Sequence, residues 1–186
     1  MADSRNRIVD ILYKAVKSGW KVKTLLTPVG FLFYLAVISL LVIISLWLDR
    51  TLHFPQIFPS SFTLTPSIII TSIGLLLMLW SAVQFLRARG TPVPFNPPPK
   101  LVTTGLYKYV RNPMMTGQYI FLFGVGIFFN SISLIFIFTP AFIIITIIML
   151  KFIEEPELKK RLGSDYIEYK KRVPMFFPKF GGRKYK

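Results

Sequence analysis

The apolar positions of this chain are grouped in long uninterrupted blocks, and the polar positions collect between the blocks. Uncharged stretches occupy residues 24–48, 67–86 and 114–150. A helix needs about 20 consecutive apolar residues to cross a bilayer, and each block reaches that length. Pro28 and Pro66 stand near the start of the first two blocks, and we expect a helix to begin at each, because the first turn of a helix accommodates proline.

The third block is too long for one crossing. A single helix over its 37 residues would extend about 55 Å, against a hydrocarbon core of about 30 Å. The polar run Asn130-Ser131-Ile132-Ser133 is the natural turn, so we predict a helical hairpin. Its first leg, about 115–129, is short for a full crossing. Its second leg, about 134–152, contains Pro140, which we expect to kink the helix or delay its start.

The first 27 residues are too polar to span a membrane. Their apolar and charged positions separate onto two sides of a helix, which predicts an amphipathic helix lying at the membrane surface. The apolar side consists of Ile8, Ile11, Leu12, Ala15, Gly19 and Val22, and the charged side of Arg7, Asp10, Lys14, Lys17 and Lys21.

These patterns predict an all-α integral membrane protein with about four transmembrane helices, the last two forming a hairpin. We divide this single membrane domain, 1–186, into an interfacial segment at 1–27 and two membrane helices at 28–86. The candidate site region follows at 87–178; it contains the hairpin and ends in a cytoplasmic helical segment. A basic tail follows at 179–186.

Basic residues are distributed very unevenly among the loops. Of the 23 lysines and arginines, six lie in residues 1–27, five in 87–116 and eleven in 151–186, and one lies in 49–66. Four helices place the first three regions on one side, which the positive-inside rule makes the cytoplasm. The net charge of +15 then indicates topology and contact with anionic lipid, and we expect no nucleic-acid partner. His53 falls on the opposite side, where we expect no chemistry.

The composition excludes several kinds of site. The chain has no cysteine and one histidine, which excludes disulfides and thiol catalysis and leaves little room for a metal site. No P-loop pattern occurs. The remaining polar chemistry lies in the predicted cytoplasmic segments.

The segment 87–113 contains six prolines, five of them between residues 92 and 99, so that part is expected to be stiff and extended. It is either a linker or part of a site. Arg111, Asn112 and Pro113 follow, at the point where the chain enters the third apolar block. One interpretation is that Arg111 anchors the membrane helix and Pro113 starts it. The other is that a polar site is built at the membrane surface.

Glu154 and Glu155 come at the cytoplasmic end of the last membrane helix. A helix C-terminus disfavours anions, and carboxylates close to a bilayer are costly unless they are paired or used. Either glutamate could form a salt bridge to Arg111 or Lys151, and either could bind a cationic ligand; one may do each. Tyr166 and Tyr169 follow at helical spacing and are expected to pack.

Two motifs carry a family resemblance. The run GLYKYVRNPMMTGQ, followed after a hydrophobic hairpin by EEPELKKRLGSDYIEYKKRVPMFFP, resembles the membrane methyltransferases related to isoprenylcysteine carboxyl methyltransferase and phospholipid N-methyltransferase. The resemblance covers about residues 90–178. It implies S-adenosylmethionine as cofactor and a lipid or lipid-like methyl acceptor. It implies catalytic roles for Arg111, Asn112 and Glu155, and a cofactor site at Gly105, Tyr107, Asn112, Pro113, Gly117, Glu154 and Glu155.

The chain departs from one branch of that resemblance. Isoprenylcysteine methyltransferases have histidine where this chain has Asn112, and tyrosine where it has Met115, so the phospholipid branch is more similar. Two alternatives stay open. The C-terminal pattern also resembles membrane sterol reductases, which bind NADPH and have many more helices. The chain could also be a non-enzymatic membrane protein that binds anionic lipid.

Overall fold

The computed structural model describes residues 2–17, 19–94 and 96–178, and the predicted basic tail at 179–186 lies outside them. The described residues form helices and loops and no β-strand, which confirms the all-α class. A 3₁₀ turn covers Gly105–Lys108, and π-helical turns cover Leu134–Phe138 and Leu150–Glu154. The α-helices are α1 Ala2–Val16, α2 Trp20–Thr51, α3 Ser60–Arg87, α4 Pro113–Phe128, α5 Thr139–Met149, α6 Glu155–Leu162 and α7 Ser164–Arg172.

Three described helical stretches are long and apolar enough to cross a membrane: Leu25–Thr51, Thr63–Arg87 and Leu134–Leu162. The last of these runs without a break from the first π turn through α5 into α6. The apolar helix α4 has 16 residues, or about 24 Å, which is short of a full hydrocarbon core. The protein is therefore an all-α membrane protein. Helix α4, the first leg of the hairpin, has the short length that the sequence predicted.

The expected starts of the first two helices are wrong. α2 begins at Trp20 and α3 at Ser60, so Pro28 and Pro66 lie inside helices. An interior proline removes one backbone hydrogen bond, which membrane helices tolerate because neighbouring groups satisfy the freed carbonyl. The start of an apolar block therefore does not mark where the helix begins.

The chain resolves into two compact units. Unit 1 consists of Met1–Phe33, Trp80–Pro113 and Thr146–Lys186, and unit 2 of Tyr34–Leu79 and Met114–Ile145. Each unit is built from separate stretches of sequence, because the long helices pass from one unit into the other.

The predicted hairpin turn is confirmed in unit 2. Asn130 has a positive φ of 51°, and its amide nitrogen donates to the carbonyl of Phe58 at 2.7 Å. The Ser131 hydroxyl donates to the carboxylate of Asp49, and the backbone N–H of Ser133 donates to the same carboxylate at 3.0 Å. The turn is thus tied both to the preceding loop and to the end of α2.

Glycines allow α3 and α4 to approach closely within unit 2. A Cβ atom built on Gly74 would lie 2.5 Å from the backbone nitrogen of Phe121, and one on Gly117 would lie 2.7 Å from the carbonyl oxygen of Gly74. A Cβ atom on Gly124 would lie 2.3 Å from the hydroxyl of Thr71. Small residues at such contacts are the usual means by which membrane helices pack.

A π turn lies beside Pro140, at Leu134–Phe138. The backbone N–H of Thr139 donates to the carbonyl of Leu134, five residues earlier. The helix has already begun at Ile132, so the start is not delayed to Pro140 as the sequence allowed; the distortion beside the proline is a widened turn within a continuous helix.

Candidate functional site

The two consecutive glutamates lie on either side of a change in helix type. The π turn Leu150–Glu154 ends where the N–H of Glu155 donates to the carbonyl of Leu150, and Pro156 follows without an N–H of its own. π turns interrupt α-helices rarely and often at functional sites. The wide turn leaves the neighbouring carboxylates in different surroundings: Glu155 is buried and Glu154 is exposed.

Both carboxylate oxygens of Glu155 are paired with cationic side chains. One carboxylate oxygen accepts from Nη1 of Arg111 and the other accepts from Nζ of Lys170. The side chains of Arg111 and Glu155 are each 10% exposed, and the same Nη1 lies 3.2 Å from the hydroxyl of Tyr166. The salt bridge between this motif and Arg111, left open by the sequence, is therefore formed by Glu155.

The carboxylate of Glu154 is not paired in this way. Within the described part of the chain its carboxylate has neither an ion pair nor a hydrogen bond. The next acidic residue, Glu157, is buried and accepts from Nε of Arg161 at 2.8 Å, and Nη1 of Arg161 donates to the carbonyl of Pro98 at 2.9 Å. Of the three carboxylates in the EEPE run, Glu155 and Glu157 are paired, and Glu154 alone has no such partner among the described residues.

Tyr107 stands beside this carboxylate in unit 1. Its ring is buried and stacked on Phe85, with the ring centroids 5.2 Å apart, and its carbonyl accepts from the hydroxyl of Tyr169 at 2.7 Å. Burial raises the pKa of the Tyr107 phenol well above its usual value, and the neighbouring Tyr169 and Glu154 raise it further. The phenol therefore stays protonated at physiological pH.

Gly105 opens the turn that carries Tyr107. Its φ of +57° lies in the left-handed region, which favours glycine, and an added Cβ would lie 2.8 Å from the side-chain nitrogen of Gln84. Gln84 in turn accepts from the hydroxyl of Thr104 at 3.0 Å. The glycine is thus required by backbone conformation and by the close approach of α3.

The segment Arg111–Asn112 is joined to the C-terminal motif by its backbone. The N–H of Arg111 donates to the carbonyl of Pro174 at 2.8 Å, and the N–H of Asn112 donates to that of Met175 at 3.1 Å. Pro113 is fully buried and is the first residue of α4. Two motifs that are far apart in sequence therefore form one structural element.

The sequence matches a known protein family over the part of the chain that contains most of these residues. A family model described as phospholipid methyltransferase matches residues 62–165, more than half of the chain. The chain belongs to the phospholipid methyltransferase family. The matched residues include both Arg111 and the glutamate pair, and the resemblance seen in the sequence is confirmed.

One curated relative is the nickel-cobalt-cadmium resistance protein NccN of Alcaligenes xylosoxydans xylosoxydans. It is 29% identical over 101 residues, which are 54% of this chain and 43% of that protein. The chain thus spans less than half of the length of this relative. No solved structure matches the chain.

Unit 1 contains all but one of the residues predicted for the site. It holds Gly105, Tyr107, Arg111, Asn112, Pro113, Glu154 and Glu155. Gly117 belongs to unit 2, where it packs against Gly74 and Leu77. No group of three or more potential metal-binding side chains occurs among the described residues.

Sequence reasoning missed Lys170 and assigned Tyr166 to packing alone. Tyr166 and Tyr169 do pack, in a small buried cluster with Val173. The Tyr166 hydroxyl also contacts Arg111, and burial together with the charge of Glu155 raises its pKa to about 12. No local pattern links Lys170 to Glu155, because the pair depends on how α7 folds back on α6.

Proposed function

We propose that this protein transfers a methyl group from S-adenosylmethionine to a lipid or lipid-like acceptor. Membership of the phospholipid methyltransferase family supplies the reaction class, a membrane methyltransferase. The observation that carries the choice of cofactor is the unpaired carboxylate of Glu154, in the same unit as the buried guanidinium of Arg111.

The residues present fit the amino-acid end of S-adenosylmethionine, which carries an ammonium group and a carboxylate. Glu154 would hold the ammonium group by a charge-assisted hydrogen bond. Nε of Arg111 is buried and has no hydrogen-bond partner among the described residues, so it is a donor suited to the carboxylate. Glu155 keeps the Arg111 guanidinium in place and balances its charge.

When bound, the cofactor supplies an electrophilic methyl group on a sulfonium. The chain's own contribution is to position the reactants, because methyl transfer is an in-line displacement that requires aligned partners about 3–3.5 Å apart. A carboxylate acceptor has no proton to lose. An amine acceptor must release one, which water or a glutamate can accept. In this proposal Arg111, Asn112 and Glu155 act by fixing the geometry.

The acceptor class follows from the departures noted in the sequence. Asn112 and Met115 separate the chain from the isoprenylcysteine branch and favour an acceptor of the phospholipid amine type. The apolar helices allow such an amphiphile to reach the site from within the inner leaflet. Both chain termini and the 87–116 loop face the cytoplasm in this proposal, where the polar cofactor is available.

Isothermal titration of the detergent-purified protein with S-adenosylhomocysteine and, separately, with NADPH tests the proposal. We expect S-adenosylhomocysteine to bind and NADPH not to bind. Binding of NADPH alone would assign the site to a reductase-like protein. Binding of neither compound would favour a non-enzymatic membrane protein.

A further inference from the structure

Helix α1 carries two separate apolar strips. Val9 and Val16 are each 7% exposed, and α1 packs against α6 and the π turn Leu150–Glu154. Helical residues are about 100° apart around the axis, so Ile8 and Ile11 point away from that contact. They are 45% and 65% exposed. The strip that docks on the protein is therefore distinct from the apolar side predicted from the sequence.

A basic side chain borders the exposed strip. Lys14 is exposed and lies about 60° from Ile11 around the helix axis. An acidic residue of α1, Asp10, is already neutralised, since its carboxylate lies 2.6 Å from Nζ of Lys160. This hydrogen bond lowers the pKa of Asp10. The exposed surface around Ile11 is therefore both apolar and positively charged.

We propose that Ile8, Ile11 and Lys14 form a lipid-binding surface that inserts among anionic head groups, while Val9 and Val16 hold α1 on α6. An apolar strip flanked by cations is the pattern of helices that lie in a membrane interface. The same surface would lie against the membrane beside the helix that carries Glu154 and Glu155.

The connection to α2 favours lipid as the occupant. α1 ends at Val16 and the first candidate span begins at Leu25, so the strip cannot lie far from the bilayer surface. Eight residues separate these points, and those from Trp20 onward are helical, so the connection is shorter than about 25 Å. A second copy of the chain is disfavoured, because a symmetric contact centred on the strip would bring Lys14 of the two copies close together.

Single cysteines make the surface directly measurable, because the chain has none of its own. Ile11→Cys reports on the exposed strip. Asn6→Cys is the matched control, exposed about 140° away around the helix. Each variant would carry a fluorescent label in nanodiscs that contain brominated lipid, of phosphatidylcholine alone or mixed with phosphatidylglycerol. Far-ultraviolet circular dichroism confirms that both variants keep the parent's helical content.

We expect strong quenching at position 11 in the mixed nanodiscs and weak quenching at position 6. Lys14→Glu, added to Ile11→Cys, should reduce the lipid association at least fivefold, because one cation near an anionic surface contributes about that factor. Lys171→Glu, the same charge change on α7, should leave quenching at position 11 unaltered.

Three outcomes would overturn the proposal. Equal quenching at both positions, or none at position 11, would show that the strip does not face lipid. Equal quenching at position 11 in neutral and anionic nanodiscs would remove the role of charge. Shielding of position 11 in detergent that increases with protein concentration would identify a second copy of the chain as the occupant.

Discussion

At the scale of single residues, the adjacent glutamates are separated by what surrounds them. Glu155 is enclosed between Arg111 and Lys170, whereas the Glu154 carboxylate has no ion pair in the described part of the chain. The sequence predicted that one carboxylate could pair while the other bound a ligand, but it could not say which. Which glutamate is paired depends on the π turn that ends before Glu155. The only hint of that turn in the sequence is Pro156.

Glu154→Gln should weaken the binding of S-adenosylhomocysteine by about 10–100-fold, because a charge-assisted hydrogen bond contributes roughly 1.5–3 kcal/mol. Titration of the detergent-purified variant measures the loss, and its thermal unfolding should match that of the parent. His53→Ala, exposed in the loop after α2, is the control and should bind normally. A folded Glu154→Gln protein with parental affinity would remove Glu154 from the site.

Glu155→Gln should act on stability first. It leaves the buried Arg111 guanidinium without its main counter-ion, and breaking a buried pair from one side costs about 3 kcal/mol. Glu168→Gln is the matched control: Glu168 is exposed and 3.9 Å from Arg172, so its loss should cost under about 1 kcal/mol. Denaturation of the two variants compares them. Equal stability would mean that the Arg111–Glu155 pair does not hold the site together.

Asn112→Ala should also weaken cofactor binding, although its backbone N–H still reaches Met175. The substitution removes the side-chain amide at the entry to α4 and loosens the turn before Pro113. S-adenosylhomocysteine titration measures the effect. An unchanged affinity would confine the role of this residue to its backbone.

At the scale of elements, hydrophobicity predicted which stretches form long apolar helices, and it did not predict where those helices begin. Pro28 and Pro66 suggested helix starts that lie several residues too late. The turn at Asn130 was predictable because polar residues interrupt the apolar block there. The glycine contacts between α3 and α4 could not be predicted, because no sequence pattern identifies Gly74 and Gly117 as partners.

Gly74→Ala should destabilise the protein by about 1–3 kcal/mol, because the new methyl group would overlap the backbone of Phe121, which cannot rotate away. Thermal unfolding in detergent is the measurement. Gly19→Ala is the matched control, since a Cβ there meets nothing within 4 Å and should change stability little. If the two variants unfold alike, α3 and α4 do not approach as closely as described.

At the scale of the whole molecule, the distribution of basic residues predicts the topology. Single cysteines at Ser4, Ser61 and Ser164 should divide by side: a membrane-impermeant reagent applied from outside should label position 61 only. Sealed, correctly oriented vesicles are required for the measurement. External labelling at position 4 or 164 would reject the arrangement with both termini in the cytoplasm.

Sequence reasoning named most of the residues of the candidate site, but it did not show which contacts hold them in place. Arg111 and the glutamate pair were singled out because their charges are costly beside an apolar block. The backbone hydrogen bonds from Arg111 and Asn112 to Pro174 and Met175 left no trace in residue type, because any residue supplies the same groups. Contacts of this kind require the folded chain.

The most direct test of the central claim is methyl transfer itself. The protein, reconstituted with membrane lipid and supplied with S-adenosylmethionine carrying a tritiated methyl group, should place the label in the organic-extractable fraction. Glu154→Gln should reduce that incorporation at limiting cofactor. Label found only in water-soluble small molecules, or no incorporation above that of protein-free membranes, would contradict the assignment of a lipid methyltransferase.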